Sequence, residues 1–84
     1  MEITKLSDNA LDSLFELGKE TFLKLRNEFK IADEKETYFF YAIEKPLITA
    51  KQEAYYNDQL WKYRAILKEL KKKLNVRNIF ELGF

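Results

Sequence analysis

Three carboxylates, Asp12, Glu16 and Glu20, come nearest to a chemically useful spacing in this sequence. Steps of four residues place them on one helix face, as in half of a helical di-metal site, but such sites also use Glu-x-x-His pairs. The chain contains no histidine and no cysteine, so the commonest general base and the usual zinc ligands are missing. The spacing therefore predicts a solvated helix face, with an acidic stripe for docking a partner as the alternative.

Nucleophilic chemistry lacks its activating groups. Ser7 and Ser13 have no neighbouring base in the sequence, and a serine is a weak nucleophile without one. The two glycines, Gly18 and Gly83, are isolated, so no glycine-rich phosphate loop is present. We therefore expect a protein that is not an enzyme and that uses no metal, no cofactor and no small-molecule substrate.

Binding is the remaining role, and the single tryptophan, Trp61, is its strongest candidate. If the apolar seam of its helix faces the core, Trp61 points about 140° away from it. A large apolar side chain left in water costs roughly 1.5–3 kcal/mol, so residues 38–43, the tail 79–84, a partner protein or a second copy should cover it. Tryptophan and arginine are common at binding hot spots. The predicted partner-binding residues are Trp61, Arg64, Ala65, Lys68 and Lys72.

Charge is concentrated at one end of the chain. The net charge is +1, but residues 59–84 carry seven basic and two acidic side chains. Nucleic acid is therefore an alternative partner, with Trp61 and Tyr63 stacking on bases while the lysines contact phosphates. The near-neutral total makes this the less favoured interpretation, because nucleic-acid-binding domains usually have a strong basic excess.

The residues from 8 to 29 have the spacing of one long helix. Ser7 can cap its first turn, and Leu6 with Leu11 has the spacing of a hydrophobic staple. Gly18 falls on the apolar seam, at a point where a partner helix could approach closely. The seam follows heptad steps of four and three residues and consists of Leu11, Phe15, Gly18, Phe22, Leu25 and Phe29.

A short second helix is expected after residue 33, because Asp33 and Glu36 have the spacing of a capping box. Its body, residues 38–43, is apolar on all sides and rich in aromatic residues. Such a composition also favours a β-strand, which could pair with residues 2–6 or 76–82. Pro46 predicts a break, because it cannot donate a hydrogen bond and disfavours helical geometry in the residue before it.

The third predicted helix begins after Thr49, which has capping-box spacing with Gln52. It should end near Leu74, where Asn75 can adopt the left-handed conformation that closes a helix. Its seam again follows steps of four and three residues and consists of Tyr56, Leu60, Tyr63, Leu67, Leu70 and Leu74.

Together these elements predict a single all-α domain over residues 1–84. It would be a small three-helix arrangement built on an antiparallel pair, the first and third helices, with the short aromatic segment packed across them. An α+β fold with residues 37–43 as a strand is the alternative. The sequence has no signal-like apolar region near its start and no apolar run of the ~20 residues that span a bilayer. A cytoplasmic location without a membrane role is therefore expected.

The expected function is a non-enzymatic protein-interaction module, a regulator or inhibitor of a partner protein. Small size, a Lys-, Glu-, Asn- and Phe-rich composition and the absence of catalytic equipment are typical of accessory proteins of phages and other mobile elements. The alternatives are a nucleic-acid-binding accessory protein that uses the basic end of the third helix, and a small structural assembly subunit that self-associates.

Overall fold

A computed structural model describes residues 2–84, and Met1 lies outside them. Within the described residues the fold is all-α without a strand, as predicted. Residues 37–43 are helical, so the α+β alternative is wrong. The helices are α1 (Asp8–Leu17), α2 (Lys19–Glu44) and α3 (Ala50–Leu74), and two short 3₁₀ turns cover Ile3–Lys5 and Ile79–Glu81.

The predicted first helix is divided in two at Gly18. Gly18 has φ 87° and ψ 156°, a backbone region that is essentially restricted to glycine. Its N–H donates to the Leu14 carbonyl, and its own carbonyl accepts from the Phe22 N–H. A Cβ at this position would have no neighbour within 4 Å, so the predicted close approach of a partner helix at Gly18 is wrong.

Helix α2 continues through the boundary that the sequence predicted near residue 33. Asp33 and Glu36 lie in the helix interior, so Asp33 does not act as a cap. Buried apolar residues lie on both sides of this point, Phe29 and Ala32 before it and Phe39 and Ala42 after it, with Glu36 between them, so the apolar face extends along the whole helix. The buried residues of α2 are Phe22, Phe29, Ala32, Phe39 and Ala42.

The connection between α2 and α3 is as predicted. Helix α2 ends at Glu44, just before Pro46, and Lys45 is extended. The capping box of α3 is formed, because the Thr49 hydroxyl accepts from the Gln52 N–H at 3.1 Å and the Gln52 side chain accepts from the Thr49 N–H at 3.0 Å. At the other end, Asn75 closes α3 with φ 55° and ψ 45°.

The antiparallel pair consists of α2 and α3, not of the predicted first and third helices. Helix α1 packs against both of them. The Ser13 hydroxyl, which is buried, donates to the Leu74 carbonyl and ties α1 to the end of α3. The main core combines residues of all three helices with two residues of the segment after α3. It consists of Ala10, Leu14, Phe22, Phe29, Ala32, Leu67, Leu70, Leu74, Val76 and Leu82.

The tail returns to the beginning of the chain. Leu82 is fully buried and forms an isolated antiparallel bridge with Leu6. The Arg26 side chain donates from Nε to the Leu82 carbonyl at 2.7 Å, and its guanidinium lies 3.8 Å from the centre of the Phe84 ring. The tail is therefore held against α2 near the main core.

The molecule is elongated, with extents of 47 × 19 × 18 Å and a radius of gyration of 15.1 Å. A compact chain of this length would have a radius of gyration of about 12 Å. The reason is that α1, the tail and the main core occupy one end, which we call the base. In the distal half, residues 36–64, α2 and α3 form a two-helix hairpin with Phe39, Ala42 and Leu60 as its buried apolar residues.

Candidate functional site

Trp61 lies on the surface of the distal half, and 65% of its area is exposed. The prediction that it points away from the apolar seam of α3 is confirmed. The expectation that residues 38–43 or the tail cover it is wrong. Phe40 and Ile43 lie beside it but leave most of the indole exposed, and Leu82 and Phe84 contact Leu6 and Arg26 at the base instead.

Arg64 is turned towards α2 and bridges the two helices. Its Nε lies 3.2 Å from Oε1 of Glu36, and its guanidinium carbon is 5.0 Å from the centre of the Trp61 ring. The ion pair is partly shielded from water, and the cation also stacks on the indole. Arg64 therefore links Glu36 on α2 to the Trp61 ring on α3.

A shallow groove runs between α2 and α3 beside Trp61, and we call it the hairpin groove. It consists of three hollows of about 370, 240 and 250 Å³. Arg64 lines all three hollows, and its ion pair with Glu36 spans the groove between them. The wall from α3 consists of Asn57, Leu60, Trp61, Arg64, Leu67, Lys68 and Lys71, and the wall from α2 consists of Asp33, Glu36, Thr37, Phe40, Tyr41, Ile43 and Glu44.

The structure brings three of the five predicted residues together in this groove, namely Trp61, Arg64 and Lys68. Ala65 and Lys72 are exposed on α3 but do not line it. The wall from α2 was not predicted from the sequence, because the predicted antiparallel pair joined α3 to the first helix. A signal was present in the sequence: apolar residues recur every seven positions at Leu25, Ala32 and Phe39, beyond the predicted boundary.

Charge is segregated between the two walls of the groove. The α2 wall carries Asp33, Glu36 and Glu44 and no cation, whereas the α3 wall carries only cations. Burial raises the pKa of Asp33, and the neighbouring Glu36 raises it further, while Lys71 across the groove opposes the shift. The groove is thus acidic along one side and basic along the other.

The opposite face of the distal half also carries aromatic residues, but these contact one another. The Phe39 ring is stacked on Tyr63 with 5.9 Å between the centroids, and it also contacts Tyr55 and Tyr56 at 6.3 and 6.0 Å. Internal packing therefore explains Phe39, Tyr56 and Tyr63, whereas Tyr55 remains 56% exposed at the edge of this cluster. Trp61, by contrast, has the Arg64 guanidinium as its close neighbour.

A second apolar hollow, of about 470 Å³, lies at the junction of α1 and α2. Phe15 lines this hollow, and 78% of its area is exposed. The prediction that Phe15 lies in a buried seam is therefore wrong. The break at Gly18 is the cause, because the face of α1 that is buried carries Ala10, Ser13 and Leu14. Asp12, Glu16 and Glu20 are all exposed, as predicted for a solvated face. The same break places Asp12 and Glu16 on α1 and Glu20 on α2, so no single helix carries the alternative acidic stripe.

Among residues 2–84, no group of three or more histidine, cysteine, aspartate or glutamate side chains is arranged to hold a metal ion. None of the helices in this range has the length and apolar character needed to cross a membrane. No protein-family model matches the chain, and searches of curated proteins and of solved structures found no significant similarity.

Proposed function

We propose that this protein is a non-enzymatic interaction module that binds a partner protein through the hairpin groove and acts as a regulator or inhibitor by covering part of that partner. The observation that carries the proposal is the 65% exposed Trp61. It is held by Arg64 at the rim of a groove that also exposes Phe40 and Tyr41. Large aromatic side chains and arginine dominate the energetics of protein interfaces.

The charges of the groove favour a protein over a nucleic acid. Phosphates that approach Lys68 and Lys71 would meet Asp33 and Glu36 on the facing wall, and like charges repel at close range. A partner protein can present both signs of charge. Salt dependence separates the two classes, because phosphate contacts weaken steeply and linearly with the logarithm of the salt concentration.

The direct test is affinity capture from cells of the native host with three baits: the natural chain, Trp61→Ala and Phe80→Ala. Phe80 is a matched control, because it is an aromatic residue that is 76% exposed but lies in the tail, away from the groove. We expect the natural chain and Phe80→Ala to capture the same protein. Trp61→Ala should lose it, because hot-spot aromatics contribute about 2 kcal/mol or more to binding.

The capture result depends on the variant remaining folded. Trp61 is mostly exposed, so Trp61→Ala should keep its helical circular dichroism and melt close to the natural chain. A core aromatic would instead cost about 3–5 kcal/mol on truncation. Equal capture by the folded Trp61→Ala and Phe80→Ala baits would show that the partner does not use this surface.

A further inference from the structure

The distal half of the hairpin lacks the third layer that the base possesses. At the base, α1 and the tail pack on α2 and α3, and the main core is shared by all of them. The buried residues of the distal half, Phe39, Ala42 and Leu60, lie outside that core. Helices in stable domains normally bury an apolar stripe against at least one further layer, so the distal half offers a place for one more element.

The dimensions of the hairpin groove suit a single helix. Its α2 wall extends from Asp33 to Glu44, which at ~1.5 Å per residue corresponds to about 16 Å or three helical turns. Apolar side chains line the end of the groove nearest the hairpin turn, where Phe40, Ile43 and Trp61 meet. The end nearest the base carries mostly charged side chains.

We propose that the hairpin groove binds an amphipathic α-helix of the partner protein, a helix whose apolar stripe contacts Trp61 and Phe40 and whose two flanks carry opposite charges. The basic flank lies along α2, opposite Asp33 and Glu44, and the acidic flank lies along α3, opposite Lys68 and Lys71. This inference rests on the proposed function and names the kind of partner. Helices that bind in grooves present apolar anchors at steps of three, four and seven residues.

Charge segregation is the observation that selects this occupant. A groove with walls of a single sign would select a helix of the opposite sign, whereas walls of opposite sign select a helix with mixed flanks. The Glu36–Arg64 pair crosses the groove between the two charged walls. Because Glu36 and Arg64 pair with each other, Asp33 and Glu44 on α2 and Lys68 and Lys71 on α3 are the charges that contact the flanks of the bound helix.

Synthetic peptides of about four helical turns test the proposal against the full-length chain. Three peptides share one leucine stripe and differ in their flanks: one has glutamates on one flank and lysines on the other, one has glutamates on both, and one has lysines on both. Trp61 is the single tryptophan, so its fluorescence reports directly on the groove. We expect the mixed peptide to shift Trp61 emission to shorter wavelength and to bind about tenfold more tightly than the other two.

A change of specificity provides the second arm. In the double variant Lys68→Glu and Lys71→Glu both walls of the groove become acidic, so the preference should move to the peptide with lysines on both flanks. The control is Lys24→Glu with Lys73→Glu, which makes the same change of net charge at exposed residues that do not line the groove. This control should keep the preference for the mixed peptide, with circular dichroism confirming that both variants fold.

Equal affinity for the three peptides, an unchanged Trp61 emission, or the same preference in both double variants would overturn the assignment of a helical occupant. These results are distinct from a failure of the proposed function. If Trp61-dependent capture of a partner persists while the peptides do not bind, the interaction surface stands and the helical occupant is wrong. If Trp61→Ala captures the partner normally, the interaction surface itself is wrong.

Discussion

Asp33 illustrates how a single side chain can change its role when the helix around it is longer than expected. As a helix cap, its carboxylate would accept backbone hydrogen bonds, which stabilise the charged form. In the interior of α2 it instead lies partly buried in the wall of the hairpin groove, beside Glu36. Burial is the largest cause of its raised pKa, and the attraction of Lys71 does not compensate.

The raised pKa has a defined consequence for stability. Because the folded chain binds the proton of Asp33 more tightly than the unfolded chain, the favourable contribution exists below the unfolded pKa and is lost as the pH rises through the folded pKa. We therefore expect Asp33→Asn to melt at a higher temperature than the natural chain at about pH 7, with the difference shrinking towards about pH 3. Thermal melts at the two pH values, monitored by circular dichroism, measure the melting temperatures of both proteins.

Glu28→Gln is the control for this experiment, because it removes one negative charge from an exposed position of the same helix that does not contribute to the pKa shift of Asp33. It should change the melting temperature little at either pH. If Asp33→Asn lowers the melting temperature at neutral pH, the attraction between Asp33 and Lys71 exceeds the cost of burial, and the charged walls of the groove contribute to folding.

At the scale of the elements, the sequence predicted local features well and their continuity poorly. The cap at Thr49, the break before Pro46 and the closing residue Asn75 are all confirmed, because each depends on the chemistry of a few neighbouring residues. The boundary near Asp33 and the continuity through Gly18 were wrong. Both depend on which helices pack together, since a heptad pattern is compatible with a glycine inside a helix or at its end.

The same distinction applies to the candidate site: features set by one helix could be predicted, and features set by the packing of two helices could not. The outward direction of Trp61 and the exposure of Lys68 could be predicted from the periodicity of α3 alone. The acidic wall could not, because Asp33 and Glu36 were assigned to the start of a separate helix. The pairing of Glu36 with Arg64 is a tertiary contact that no local pattern in this sequence indicates.

The substitution Gly18→Ala tests whether the chain forms one continuous helix or breaks at Gly18. The two structures predict changes of opposite sign in the free energy of unfolding. In a continuous helix over residues 8–29, Gly18→Ala would stabilise the chain by about 0.5–1 kcal/mol. In the observed fold, alanine must adopt φ 87°, and we expect a loss of about 1–3 kcal/mol. Urea denaturation of both proteins measures the difference in the free energy of unfolding.

Thr21→Ala is a suitable control for the glycine experiment, because Thr21 is exposed and lies within α2. It should be neutral or slightly stabilising, as expected for alanine in an exposed helix. A stabilised Gly18→Ala variant would mean that α1 and α2 merge into one helix in solution and that the face of α1 carrying Phe15 becomes buried.

At the scale of the whole molecule, the chain divides into a base with a shared core and a distal half that consists of α2 and α3 alone. The tail contributes to the base through Leu82, and we expect Leu82→Ala to destabilise the chain by about 2–5 kcal/mol, because Leu82 is fully buried. Phe80→Ala, two residues earlier and exposed, should cost far less. Removal of residues 79–84 should lower the melting temperature at least as much as Leu82→Ala, and a truncated chain of unchanged stability would contradict the packing of the tail.

Unequal packing should also appear as unequal protection from hydrogen exchange along the same helix. Amide protection follows the free energy of local opening, which is low where few apolar contacts close a structure. We expect the amides of residues 22–32 and 67–74 at the base to exchange more slowly than those of residues 36–44 and 54–61. Binding of a helical peptide in the groove should slow exchange in the distal half first, because a ligand stabilises only the states that bind it. Uniform protection along α2 would mean that the hairpin opens as one unit, and the distal half would then need no further layer to be stable.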